Sequence, residues 1–230
     1  MKITWLGHSG FRIETGDAVI LLDPFLTGSP VFPADKRSEA IRGATHILLT
    51  HGHGDHAGDA VPISKELGIP VYCIHELSII LGADGAQTVG FGKGGTVDIG
   101  GAKVTMVNAT HSASIDYKDG GLIYAGQPAG FMIAAEGHTI YVTGDTDIMA
   151  DMAWMGELHK PDIGILSAGG HYTMDMARAG WAAKKYFDFK TVIPCHYKTF
   201  DLLEQSAQPL IDALPGVDVI EPKILSPIEI

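Results

Sequence analysis

Three histidines and an aspartate fall within six positions, His51, His53, Asp55 and His56, in the stretch LLTHGHGDHAGD. Imidazoles packed this tightly repel one another when protonated and make no core. Neutral, they join carboxylates as first-choice ligands for borderline divalent metals. In H-x-H-x-D-H the side chains at 51 and 53 can reach one ion. Those at 55 and 56 can turn towards a second, because the chain is leaving an apolar run and entering a helix. Gly52 and Gly54 allow the tight backbone that this convergence demands. His111, Asp145 and His196 each close a later apolar run. One ion takes three or four protein ligands, so this supply points to two divalent ions. All the donors are N or O, which suits zinc, with manganese or iron(II) as the other choices. Water activated between two such ions attacks a carbonyl carbon or a phosphorus equally well.

The elements that must position these side chains are strands. KITWLG runs into His8, AVILLD ends on Asp23, THILLT meets His51 and KVTMVNAT meets His111. TIYVTG meets Asp145, DIGILSAGG meets His171 and TVIPC meets His196. These runs are rich in Val, Ile, Thr and Tyr and bounded by Gly or Asp, the composition of strands. Helical patterns are predicted over 58–67, 75–81, 149–159, 175–187 and 202–214. Consecutive strands dominate the first half and strand–helix alternation the second, which predicts an α/β fold of layered sheets with outer helices, one domain over 1–230. Sites in such folds sit on loops at strand ends. GFGKGGTVDIGG lacks the order of a phosphate-binding loop, and its first Gly-Gly pair reads as a hairpin turn.

HGHGDH with the later His111, Asp145 and His196 resembles the metallo-β-lactamase superfamily over essentially the whole chain. WLGHSGFRIE, LLDPFLTGSP, GDT and GGHYTMDMARA…VIPCHYKTF resemble the UPF0173-type metal-dependent hydrolases, relatives of the ascorbate-6-phosphate lactonase-like branch. The resemblance implies an αββα four-layer sandwich with the metals in a cleft at one edge. It implies one ion on His51, His53 and His111, a second on Asp55, His56 and His196, and Asp145 bridging. The expected activity is that of a dinuclear hydrolase whose metal-bridging hydroxide, oriented by Asp55, attacks a small lactone or ester. A phosphodiesterase or nuclease is one alternative, and an iron-dependent redox enzyme on the same fold is another. Zinc leads among the metals.

Around this centre, His8 and His171 are catalytic candidates, as donors to a carbonyl or phosphate oxygen or to the leaving group. Lys198 is a candidate contact for an anionic substrate group, and Tyr197 offers its hydroxyl. The turn-rich stretch from Asp23 to Arg37 has the length of a flap, with Phe25, Leu26 and Phe32 as apolar walls. The helix pattern DIMADMAWMGELH places its Met and Trp for core packing, and Cys73 and Cys195 read as small buried hydrophobes. A net charge of −11 with scattered Lys and Arg argues against a nucleic-acid partner. No run approaches the roughly 18 apolar residues of a membrane helix. The N-terminal segment, broken by Gly, His and Ser, does not read as a signal peptide. A cytoplasmic enzyme with a small-molecule substrate is therefore expected; self-association into a homo-oligomer stays open.

Overall fold

The computed structural model describes residues 1–116 and 120–230. The chain opens with β1 (Lys2–Gly7), β2 (Gly10–Thr15) and β3 (Ala18–Leu22), followed by a 3-10 turn (Ala34–Lys36) and α1 (Arg37–Ile41). It continues through β4 (His46–Leu48), α2 (Gly54–Ala57), α3 (Ala60–Leu67), β5 (Val71–Ile74), α4 (His75–Ala83) and β6 (Thr88–Phe91). The second half holds β7 (Thr96–Ile99), β8 (Ala102–Asn108), β9 (Ser114–Asp116), β10 (Leu122–Tyr124), β11 (Ala129–Ala135) and β12 (His138–Val142). It ends with α5 (Met152–His159), β13 (Ile163–Ser167), α6 (Met176–Tyr186), β14 (Thr191–Cys195), α7 (Gln208–Ala213), β15 (Asp218–Val219) and β16 (Pro227–Glu229).

Among the described residues these strands form two seven-stranded sheets, ordered β16-β1-β2-β3-β4-β5-β6 and β15-β14-β13-β12-β11-β8-β7, with β9 and β10 as a separate hairpin. Both sheets change character midway. In the first, β16, β1, β2 and β3 pair antiparallel, and β3 to β6 parallel. In the second, β7, β8, β11 and β12 pair antiparallel, and β12 to β15 parallel. One apolar cluster joins residues of both sheets, from Ile3, Ile20 and Leu48 to Phe131, Ile140 and Ile165. β13 is buried at all five positions, the mark of a strand covered on both faces. Helices cover the outer faces and give the four layers expected.

Strand direction decides where chemistry can collect. β1, β3 and β4 run the same way in the first sheet, as do β8, β12, β13 and β14 in the second. Their C-terminal ends release His8, Asp23, His51, His111, Asp145 and His196 along one edge, the usual site in such sheets.

Three expectations change. β6 and β7 lie in different sheets, so Gly94-Gly95 turns the chain between sheets instead of closing a hairpin. The hairpin is one pair later: Ile99 pairs with Ala102 across Gly100 and Gly101, whose φ values are 57° and 92°, the positive angles of a two-residue turn. The helix predicted over 202–214 spans only Gln208–Ala213. In α5, Met152 and Met155 enter the core, whereas Trp154 stays exposed.

Candidate metal centre

The six-residue motif splits at a helix start. His51 and His53 follow β4, and His53 stands at the N-cap of α2 on extended backbone with ψ of 148°. Asp55 and His56 lie on the first turn, so they face differently from His51 and His53. Ring and carboxylate atoms gather into overlapping groups, each within 4.8 Å: His51, His53 and His111; His8, Asp55, His56 and His196; and His51, His56 and Asp145. Asp145 is the hub. Its Oδ2 lies 3.0 Å from His196 Nε2, 3.3 Å from His56 Nε2 and 3.6 Å from His111 Nε2.

The backbone is strained where the two sheets meet. His8 (φ 52°), Asp23 (φ 41°) and His196 (φ 59°) are in the left-handed region, which costs a non-glycine residue of order 1–3 kcal/mol and collects at functional sites. The His8 carbonyl accepts from His196 N at 3.0 Å and from Trp5 Nε1 at 2.9 Å. Gly169 makes room for the last ligand: a Cβ there would stand 1.9 Å from the His196 carbonyl oxygen.

Asp23 and Thr50, to which the sequence assigned no role, hold the ring orientations. Asp23 Oδ2 accepts from His56 Nδ1 at 2.9 Å and from Thr50 Oγ1 at 2.6 Å, while Oδ1 accepts from Thr50 N at 2.8 Å. Thr50 Oγ1 in turn lies 3.0 Å from His51 Nδ1. A carboxylate behind a histidine fixes its tautomer and raises its basicity as a ligand. The available signal was position: Asp23 ends a strand just as the ligand-type residues do.

Burial opposes charge on His56, but Asp145 and Asp23 on either side outweigh it and raise its pKa. Burial would also lift the Asp145 carboxyl; His56 and His196 outweigh that and hold it well below the usual range. Asp55 is lowered too, because His8, 2.9 Å away, and the charge at His56 overcome burial. Burial holds His8 down to about 4 and keeps His51 low as well. The site therefore holds the Asp55 and Asp145 carboxylates ionised, with His8 and His51 neutral and charge favoured on His56.

These residues fit divalent cations. His56 Nε2 and Asp145 Oδ1 are buried without a hydrogen-bond partner among the described residues. His51 Nε2 and His53 Nδ1 face each other at 2.9 Å. Buried polar atoms are ordinarily satisfied, and lone pairs that converge on one point are satisfied by a cation. The donors are all nitrogen and oxygen, since Cys195 is buried beside the site as a free thiol.

A cleft of about 580 Å³ opens over the cluster. Its floor is His53, Asp55, His111, Asp145 and His196, and its walls are Tyr172, Phe200, Leu202 and Ser112. No lysine or arginine lines it among the described residues. The sequence missed Leu202 as a wall because 202–214 read as helix, and it assigned no role to Phe200 or Tyr172. Lys198 N donates to the Glu204 carbonyl and Glu204 N to that of Gly169, both at 2.9 Å, so this segment is an irregular wall pinned beside the site.

Several proposed substrate residues stand elsewhere. His171 lines a neighbouring polar pocket with Thr110, Thr146, Asp147 and Arg178. The turn at Gly170 (φ 88°) presents Tyr172 to the cleft in its place. Tyr197 is fully buried and stacks on Trp5 at 5.8 Å, because the left-handed His196 turns the next side chain inward. Lys198 pairs with Glu221 at 2.8 Å and lies over the Tyr197 ring, off the cleft wall. Phe25 packs edge-on to His8 with ring centroids 5.9 Å apart. Leu26 and Phe32 belong to the core, so the stretch after Asp23 is packed down and does not wall the cleft.

Comparison with known proteins agrees with this geometry. Residues 18–197 match the profile of the Beta-lactamase superfamily domain. A UPF0173 metal-dependent hydrolase of Paracoccus denitrificans is 67% identical over 229 residues, covering 99% of both chains. One from Cereibacter sphaeroides is 66% identical over 231 residues and the whole of both. A metallo hydrolase from the hyperthermophilic archaeon Ignicoccus hospitalis superposes with a TM-score of 0.83 at 31% identity, covering 100% of this chain and 98% of that one. With two such sheets and a His/Asp cluster at their shared edge, the chain belongs to the β-lactamase superfamily and, within it, to the UPF0173 metal-dependent hydrolases.

Proposed function

We propose that this enzyme is a dinuclear hydrolase of small, uncharged lactones or esters, with zinc as the first choice of metal. The observation that carries the substrate class is the cleft: carboxylates and imidazoles on its floor, Tyr172, Phe200 and Leu202 on its walls, and no basic side chain lining it among the described residues. An anionic substrate group is ordinarily met by Arg or Lys, and Lys198, the one candidate in sequence, is paired with Glu221. This disfavours phosphodiesters and phosphorylated sugars. It leaves a neutral carbonyl compound with an apolar flank.

His51, His53 and His111 would hold one ion, and Asp55, His56 and His196 the other, with Asp145 between them. Two divalent ions supply an activated water and a positive charge that polarises the carbonyl. The remaining work belongs to the chain. Asp23 and Thr50 fix the imidazole orientations, and Asp55, kept ionised, is an acceptor at the cleft floor. Tyr172, Phe200 and Leu202 shield the acyl or alcohol portion from water.

Proton release by metal-loaded protein, followed against neutral lactones and esters and against phosphodiesters, tests the reading. Asp145→Ala serves as blank and as a check on metal content. Turnover of the neutral panel that vanishes with Asp145→Ala is expected. Turnover confined to phosphodiesters, or full metal content and activity in Asp145→Ala, would overturn it.

A further inference from the structure

The three fully buried histidines of the site share one construction. His56 Nδ1 is anchored on Asp23 at 2.9 Å and His51 Nδ1 lies 3.0 Å from Thr50 Oγ1. The single proton of Thr50 Oγ1 is committed to Asp23 at 2.6 Å, so the hydroxyl accepts from His51 and leaves Nε2 of that ring as a lone pair facing inward. His8 repeats this pattern. Its Nδ1 lies 2.9 Å from Thr199 Oγ1, whose proton goes to the Tyr197 carbonyl at 3.2 Å. With the Thr199 proton on that carbonyl, Thr199 accepts and His8 Nδ1 donates, the tautomer that matches His51.

His8 Nε2 is then a bare nitrogen, and it lies 2.9 Å from Asp55 Oδ2. Two lone pairs at that separation require positive charge between them. The same nitrogen shares a 4.8 Å sphere with the donor atoms of Asp55, His56 and His196. His8 is 0% exposed and held in the left-handed region at φ 52°, a cost that a residue serving only to pack would not justify.

We infer that His8 is a metal ligand, completing a four-donor site with Asp55, His56 and His196. The inference rests on the dinuclear reading above and deepens it. The two ions become unequal. The His8 site has four side chains besides the shared Asp145 and is closed, as structural sites are. The His51, His53 and His111 site has three besides the shared Asp145 and keeps its open position towards the cleft, where His53 and His111 are partly exposed.

Cobalt(II)-loaded protein tests the assignment, because a ligating imidazole shows a hyperfine-shifted, exchangeable N–H proton resonance. His8→Asn suits the left-handed backbone and shortens the side chain. His8→Gln keeps an N–H that can reach Asp55. Both variants should lose one slowly exchanging shifted resonance and bind their weaker cobalt more than about tenfold less tightly than the unsubstituted protein. Retention of every shifted resonance in His8→Asn, or full affinity in His8→Gln, would make His8 a hydrogen-bond donor to Asp55 and overturn the assignment alone. If the unsubstituted protein takes up no cobalt, the dinuclear reading fails and this one with it.

Discussion

Asp23 shows how one residue outside the proposed ligand set would govern it. Its carboxylate is 1% exposed and spends both oxygens on the motif, on Thr50 twice and on His56 once. Removing it frees the His56 ring to rotate and lets Thr50 Oγ1 reorient, so the basicity and aim of two imidazoles change together. Changes to such supporting groups typically cost about 10–100-fold in metal affinity. Asp23→Ala should therefore weaken binding of at least one ion by about that factor in a chelator competition, with the fold intact by circular dichroism. An unchanged affinity would mean that packing alone aims His56. The left-handed backbone at His8, Asp23 and His196 belongs to the same scale. It could not be seen in the sequence, since none of the three is glycine and the strain is sustained only by surrounding hydrogen bonds.

At the scale of elements, the stretch after Asp23 is held by a helix cap region. Asp59, at the start of α3, accepts from Leu26 N and Thr27 N at 2.8 Å each and from Thr27 Oγ1 at 2.6 Å, and it is 2% exposed. Asp59→Ala strands the buried Leu26 N–H, while the exposed Thr27 can turn to water, at a cost of about 1–3 kcal/mol by the usual penalty for an unsatisfied buried donor. Urea unfolding should show that loss; a change under about 0.5 kcal/mol, the usual surface effect, would mean that the loop is not tied there. This network is nonlocal, and for that reason the loop reads as a flap in sequence. The strands and the gathering of the His/Asp cluster were legible because each is local: β-branched runs ending in His or Asp, with a helix start splitting HGHGDH. The wall at 199–205 was illegible because its conformation comes from the tie of Glu204 N to the distant Gly169 carbonyl, which shares no pattern with it. Tyr197 and Lys198 were misplaced by one unseen dihedral angle at His196.

The whole molecule is two sheets joined at opposite edges by different means. At one edge, the His and Asp side chains that follow β4 and lie on α2 meet those following β8, β12 and β14. At the far edge, Glu136, in the turn between β11 and β12, reaches the turn between β2 and β3. It accepts from Gly16 N at 2.7 Å and Thr15 Oγ1 at 2.9 Å, and pairs with the Met1 ammonium at 2.8 Å. The ammonium and the two hydrogen bonds pull its carboxyl from 4.5 down to about 2. A folded-state value below the unfolded one means that the clamp contributes fully above about pH 4.5 and is lost as pH falls towards 2. Its weight is exposed only when the other edge is released, because bound ions favour the folded state by mass action and mask weaker fastenings. In chelated protein at pH 7, Glu136→Gln should melt below the unsubstituted protein, and the gap should close as pH falls from 4.5 towards 2. A gap that persists at pH 2, where Glu136 is half protonated or more, would show that the amide disturbs the turn itself. A gap absent at pH 7 would place the coupling of the two sheets wholly in their shared core.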